Sequence, residues 1–109
     1  MYQKGDIVLI PFPFTDLSAK KTRPVVVVSD SEFERETGDF TVGMITSIPH
    51  TTRYDYELKD WKTANLLSPS WVRAKLVTLD PKLVRYRVGK LADQDLFEVD
   101  ERIRLALRV

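Results

Sequence analysis

Apolar residues come in short bursts from Ile7 to Val88, and their period then changes near the end of the chain. The burst Ile7-Val8-Leu9-Ile10 predicts a first strand, Asp6 to Phe12, buried on both faces. Pro11 and Pro13 cannot donate to a ladder, so Phe12-Pro13-Phe14 is expected as a loop or strand edge. A polar loop, Thr15 to Thr22, follows. The valines Val25 to Val28 form a run too short for a helix and too β-branched to favour one, which predicts a strand over Pro24 to Ser29. Ser31 to Glu36 suits one or two helical turns, ended by Gly38-Asp39. Phe40, Val42 and Met44 in phase predict a strand from Phe40 to Thr46. Tyr54, Tyr56 and Leu58 alternate with Asp55 and Glu57, the pattern of a half-exposed strand. A short turn of helix is expected over Lys59 to Ala64 around Trp61, then strands Trp71 to Leu79 and Arg85 to Lys90. From Asp93 to Arg108 the residues Leu96, Val99, Ile103, Ala106 and Leu107 fall on one helical stripe. Short strands closed by one helix predict an α+β fold, mostly β, with a small, strongly bent antiparallel sheet or barrel.

A chain of 109 residues is one domain, 1–109, with no repeat or linker to divide it. Charged residues at 30% and hydrophobic residues at 43% exclude a disordered chain. No apolar run is long enough to span a bilayer, and MYQKGD has no signal-peptide apolar stretch, so a cytoplasmic protein is expected. With no cysteine, disulfides, thiolate metal sites and cysteine nucleophiles drop out.

The net charge of +1 lacks the basic excess of many nucleic-acid binders, so any phosphate site must arise from local clustering. Candidate clusters are Lys20, Lys21 and Arg23, then Arg73 and Lys75, then Arg85, Arg87 and Lys90. Acids gather elsewhere, in Glu32 to Asp39 and Asp93 to Glu101. Solvated strand edges account equally well for any one of these clusters.

Glycine-rich phosphate loops and nucleophile elbows are missing. The single histidine, His50, cannot build a two-histidine acid–base pair or a histidine-rich metal site and reads as structural or surface. Thr22-Arg23-Pro24 is more informative. A guanidinium at the mouth of a rigid strand has little freedom and offers forked donors to phosphate oxygens, although a strand-end salt bridge explains it too. Ile45-Thr46-Ser47 ends the third strand with two hydroxyls on opposite faces, so only one serves a given cleft; a strand-end turn is the plainer explanation.

Taken together, Gly5-Asp6-Ile7-Val8-Leu9, Pro11-Phe12-Pro13-Phe14-Thr15-Asp16 and Thr22-Arg23-Pro24-Val25-Val26-Val27-Val28-Ser29 resemble the PemK/MazF family of toxin endoribonucleases. Ile45-Thr46-Ser47, Leu66-Leu67-Ser68-Pro69-Ser70-Trp71-Val72-Arg73, Thr78-Leu79-Asp80 and the amphipathic helix follow in the family's order. The resemblance covers essentially the whole chain. It implies an SH3-like β-barrel of the CcdB/PemK type with a C-terminal helix, paired as a homodimer. Single-stranded RNA would cross a groove at the subunit interface, and a cognate antitoxin's acidic tail would cover the same surface. Contact with DNA would come only indirectly, through a toxin–antitoxin complex, and neither membrane nor cofactor is implied.

The implied reaction is metal-independent: a ribose 2′-hydroxyl attacks its own phosphate, leaving a 2′,3′-cyclic phosphate and a free 5′-hydroxyl. Arg23 matches the family's catalytic arginine and Thr46 its catalytic threonine. Arg23 would stabilise charge on the pentavalent phosphate, and Thr46 would orient a non-bridging oxygen. Expected RNA contacts are Phe14, Thr15, Lys21, Ser47, Arg73 and Lys75. Base selection is expected from the loops Thr15 to Thr22 and Ile48 to Arg53, and Trp61 and Trp71 are candidates for either the dimer interface or the core. Two departures stand out. The loop glutamate of some relatives is replaced by Ser18-Ala19-Lys20-Lys21-Thr22, and no aspartate follows Arg73 in Arg73-Ala74-Lys75, so no residue is nominated as the base. A CcdB-like gyrase poison and an inactive RNA- or antitoxin-binding barrel are the alternatives.

Overall fold

The computed structural model describes residues 1–14 and 20–109. Its elements are β1 (Asp6–Pro11), β2 (Thr22–Val27), α1 (Ser31–Thr37), β3 (Phe40–Thr46), β4 (Tyr56–Glu57), β5 (Trp71–Leu79), a 3-10 turn (Pro81–Leu83), β6 (Tyr86–Lys90) and α2 (Asp93–Leu107). The strands form one curled antiparallel sheet in the order β4-β5-β3-β2-β1-β6, a half-barrel carrying the C-terminal helix. The mostly-β class with a closing helix is therefore the observed architecture.

Alternation along each strand sends side chains into two cores, one on each face. Ile7, Val26, Ile45, Tyr56, Val72 and Val99 belong to the first, together with the inner stripe of α2. Val8, Ile10, Val25, Val27, Phe40 and Val42 form the second, with Phe14 and Met44 packed against it. This explains the unbroken apolar runs of β1 and β2: both faces are covered. Trp61 packs against the first core.

Several expected boundaries move. β2 starts at Thr22 rather than Pro24, because Pro11 and Ile10 pair with Thr22 and Arg23. Arg23 thus lies inside a strand. The strand expected across Tyr54 to Leu58 shrinks to Tyr56–Glu57, since Thr52 to Asp55 is tied as a turn. In that turn the Asp55 N–H donates to the Thr52 carbonyl at 3.1 Å, and the Thr52 hydroxyl donates to the Asp55 carboxylate at 2.6 Å. Lys59 to Ala64 makes consecutive turns rather than a regular helix: the N–H groups of Ala64, Asn65 and Leu66 bond to the carbonyls of Asp60, Lys62 and Trp61. On α2, Leu96, Val99 and Ile103 face the core, whereas Ala106 and Leu107 are exposed. Gly38 ends α1 in the left-handed conformation, φ 79°, its N–H bonding to the Glu34 carbonyl. No helix among the described residues is long and apolar enough to cross a membrane.

Candidate active site

Strand register brings together the two residues singled out for chemistry. Arg23 pairs with Ile10 on β1, and β2 pairs with β3 through Val25 opposite Met44. On β3, Thr46 pairs with Trp71 of β5. The ladder between β2 and β3 ends at Val25–Met44, and Arg23 and Thr46 lie two residues beyond it on their strands, at the end of the sheet where the groove opens.

The Arg23 guanidinium is exposed and stands 5.0 Å from the centre of the Phe12 ring. Phe12 meets Phe14 edge-on at 5.6 Å, and Phe14 packs against the second core. The charge thus rests on an aromatic platform anchored in the interior. Among the described residues no acidic side chain forms an ion pair with it. At Thr46 the hydroxyl oxygen accepts from the Ile48 N–H at 3.1 Å. Accepting fixes the side chain and leaves the O–H free to donate.

Arg23, Thr46 and Ser47 line a groove of about 520 Å³, so both hydroxyl residues and not one of them reach this cleft: β3 ends at Thr46, and Ser47 is released from its alternation. Leu9, Pro24, Ile45 and Val88 give it apolar walls, and Asn65, Ser68 and Ser70 add polar groups. Leu67, 99% exposed, and Tyr86, 63% exposed, also belong to the lining and present apolar surface to solvent. The volume lies within the range of small-ligand sites, and an apolar cleft with a few convergent polar groups is the usual chemistry of such sites.

The wall formed by the Leu58 to Ser70 loop is held from both sides. Asp95, buried on α2, accepts from the Tyr56 hydroxyl at 2.8 Å, from Lys59 N–H at 3.2 Å and from Asp60 N–H at 2.9 Å. Burial, reinforced by that bond to Asp95, pushes the Tyr56 phenol well above its ordinary value. Farther along, Asn65 takes a left-handed φ of 65° and its amide donates to the Val88 carbonyl at 3.1 Å. Gly89 permits that contact: a Cβ there would lie 2.5 Å from the Ala64 carbonyl oxygen.

Of the other expected contacts, Ser47 joins the groove and Phe14 supports it from beneath. Lys21 is exposed next to it, its carbonyl accepting from Phe12 N–H. Thr15, with most of the loop expected to read bases, lies outside the described residues. Arg73 and Lys75 line a separate cleft with Thr52 and Asp55. There Arg73 donates through Nε to Asp55 at 3.2 Å. The carboxylate that does not follow Arg73 in sequence thus arrives from another segment. Burial raises the Asp55 acid, but hydrogen bonds from Thr52 and Arg73 outweigh it, so its value falls below the ordinary one. Arg87, in the last basic cluster, is committed to buried Asp6 at 2.9 Å. His50 is half-buried in its loop, and among the described residues no three His, Cys, Asp or Glu side chains gather as a metal-holding set.

Sequence reasoning missed Asp55, Asp95 and Asn65. Alternation marked Asp55 only as an outward polar position; Tyr86 was visible as an apolar residue between arginines, without a role.

The fold itself defines a class. It superposes on an endoribonuclease in complex with its cognate antitoxin from a mycobacterial species, with a TM-score of 0.83 at 17% identity, covering 100% of this chain and 97% of that one. The Mycobacterium tuberculosis toxin MazF-mt6 gives 0.77 at 18% identity over 95% and 97%. MazF from Deinococcus radiodurans gives 0.76 at 22% identity over 99% and 97%. Identities this low speak for the fold alone, and no curated protein matches the sequence significantly. The family is settled by sequence: the model of the PemK-like, MazF-like toxin of type II toxin-antitoxin systems matches residues 3–107, and the chain belongs to that family.

Proposed function

We propose that this toxin is a metal-independent endoribonuclease that cleaves single-stranded RNA in the groove lined by Arg23 and Thr46. The observation that carries the reading is a shared groove: an exposed guanidinium from β2 and a fixed hydroxyl from β3 both line it. The 2′-oxygen attacks the adjacent phosphorus, its proton passes to a base, and the 5′-oxygen departs taking a proton. Products are a 2′,3′-cyclic phosphate and a 5′-hydroxyl. Arginine stays protonated throughout, so Arg23 holds the charge that builds on the non-bridging oxygens. Thr46 donates to one of them and fixes the phosphate in line. Ser47 and Lys21 extend polar contacts along the strand, and exposed Tyr86 offers a stacking face for an unpaired base.

A cognate antitoxin and a second copy of this chain are the partners this reading implies; the solved relatives include one bound to its antitoxin. The cytoplasm, where mRNA is exposed, is the implied compartment. Incubating the purified protein with mixed single-stranded RNA in EDTA should yield fragments with cyclic-phosphate ends. Arg23→Ala should slow cleavage by at least about a hundredfold while circular dichroism stays unchanged. Intact RNA across many sequences, or an undiminished Arg23→Ala, defeats the proposal; trapped gyrase–DNA complexes without RNA decay would establish the gyrase-poison alternative instead.

A further inference from the structure

A second cation, Arg73, is close to Thr46 in strand register but lines a cleft of its own beside Thr52 and Asp55. Met44 pairs with Arg73, two residues along β3 from Thr46 paired with Trp71. Arg73 is therefore the diagonal neighbour of Thr46, roughly 7–8 Å away by sheet geometry and within reach of a long side chain. A bulge in β5 beside Gly43 and Met44 sets its position there.

What holds Arg73 is unusual for a surface ion pair. The Asp55 side chain is only 3% exposed, against 32% for Arg73. Its two oxygens are divided: Oδ1 accepts from Arg73 Nε at 3.2 Å, while Oδ2 accepts from the Thr52 hydroxyl at 2.6 Å and the Thr52 N–H at 3.2 Å. Asp55 is thus held in its own turn independently of its bond to Arg73. A guanidinium bound through Nε keeps its end-on pair of amino groups open, and that pair fits two phosphate oxygens. The lowered acid value of Asp55 keeps the anchor charged at neutral pH.

We propose that Asp55 is a positioning residue, holding Arg73 by Nε so that its terminal amino groups grip an RNA phosphate flanking the scissile one. The inference rests on the ribonuclease reading above and adds a second clamp to it. Lys75 in the same cleft supplies further positive charge.

The sign of the effect separates positioning from simple electrostatics. Removing an acid near a polyanion should tighten RNA binding; freeing a prearranged arginine should weaken it. Binding is measured on 2′-O-methyl RNA, which lacks the attacking hydroxyl and reports affinity without cleavage. Asp55→Asn is expected to weaken binding about tenfold, and Arg73→Ala by as much or more, with the log–log salt slope shallower by about 0.7 for the lost phosphate contact. Arg73→Lys, a point charge without the fork, should not restore it. In the Arg73→Ala background Asp55→Asn should no longer weaken binding.

Equal or tighter binding by Asp55→Asn, even with a lowered melting temperature, overturns the proposal and leaves a purely structural ion pair. So does full additivity in the double variant. A wild type that binds 2′-O-methyl RNA with this pattern yet never cuts unmodified RNA defeats the nuclease reading alone. No binding by the wild type defeats both.

Discussion

Replacing Asp95 with alanine tests how the groove wall is held. Its carboxylate, 1% exposed, sits in the first turn of α2 and accepts three bonds from the chain entering that wall. Alanine leaves the Tyr56 hydroxyl, on a residue 6% exposed, without its partner; an unsatisfied buried hydroxyl costs about 1–3 kcal/mol. Lys59 and Asp60 are exposed residues, so their N–H groups regain water and forfeit roughly 0.5–1 kcal/mol each. Loss of a negative charge from the helix N-terminus subtracts a further ~0.3–1 kcal/mol. The sum is about 2–6 kcal/mol, which in a domain of this size lowers Tm by roughly 10–35 °C. Tyr56→Phe removes one of the three bonds and should cost only about 1 kcal/mol. Urea unfolding and calorimetry of the two variants supply the comparison. An Asp95→Ala loss below about 1 kcal/mol, or one equal to that of Tyr56→Phe, would refute the view that this carboxylate organises the loop.

Two further outcomes follow from the same geometry. Thr46→Val keeps the β-branched shape but removes the hydroxyl, so cleavage of unmodified RNA should fall by about a hundredfold or more in single-turnover assays while Tm moves only slightly; an unchanged rate would detach Thr46 from the chemistry. Asp55 has a folded-state value below its unfolded one, so the stability it contributes is present above the ordinary carboxylate value and is lost as pH falls through the lowered one. Acid unfolding of Asp55→Asn should accordingly show a flatter pH dependence than wild type below about pH 4, and superimposable profiles would contradict the assignment.

Much of the framework was legible because it is local. Phe40, Val42 and Met44 gave β3 its bounds, Trp71 to Leu79 emerged intact as β5, and the change of period marked α2. The family's ordered motifs reached further and marked Arg23 and Thr46 before any strand pairing was known. Alternation failed at β4, where Tyr54 and Asp55 continue the pattern but their backbone is committed to a turn by Thr52. It failed again on the last turn of α2, where Ala106 and Leu107 continue the stripe but stay exposed.

The sequence by itself determined which segments become strands, which residue types are present to handle a phosphate, and to which family the chain belongs. Tertiary structure alone decided that Arg23 and Thr46 line one groove, that Arg73 is held by Asp55 rather than by a neighbour in its own strand, and that Asp95 closes the groove wall. Side-chain period is written into consecutive residues, whereas register relates strands far apart in the chain. It is fixed only when both faces of the sheet bury their apolar side chains at once.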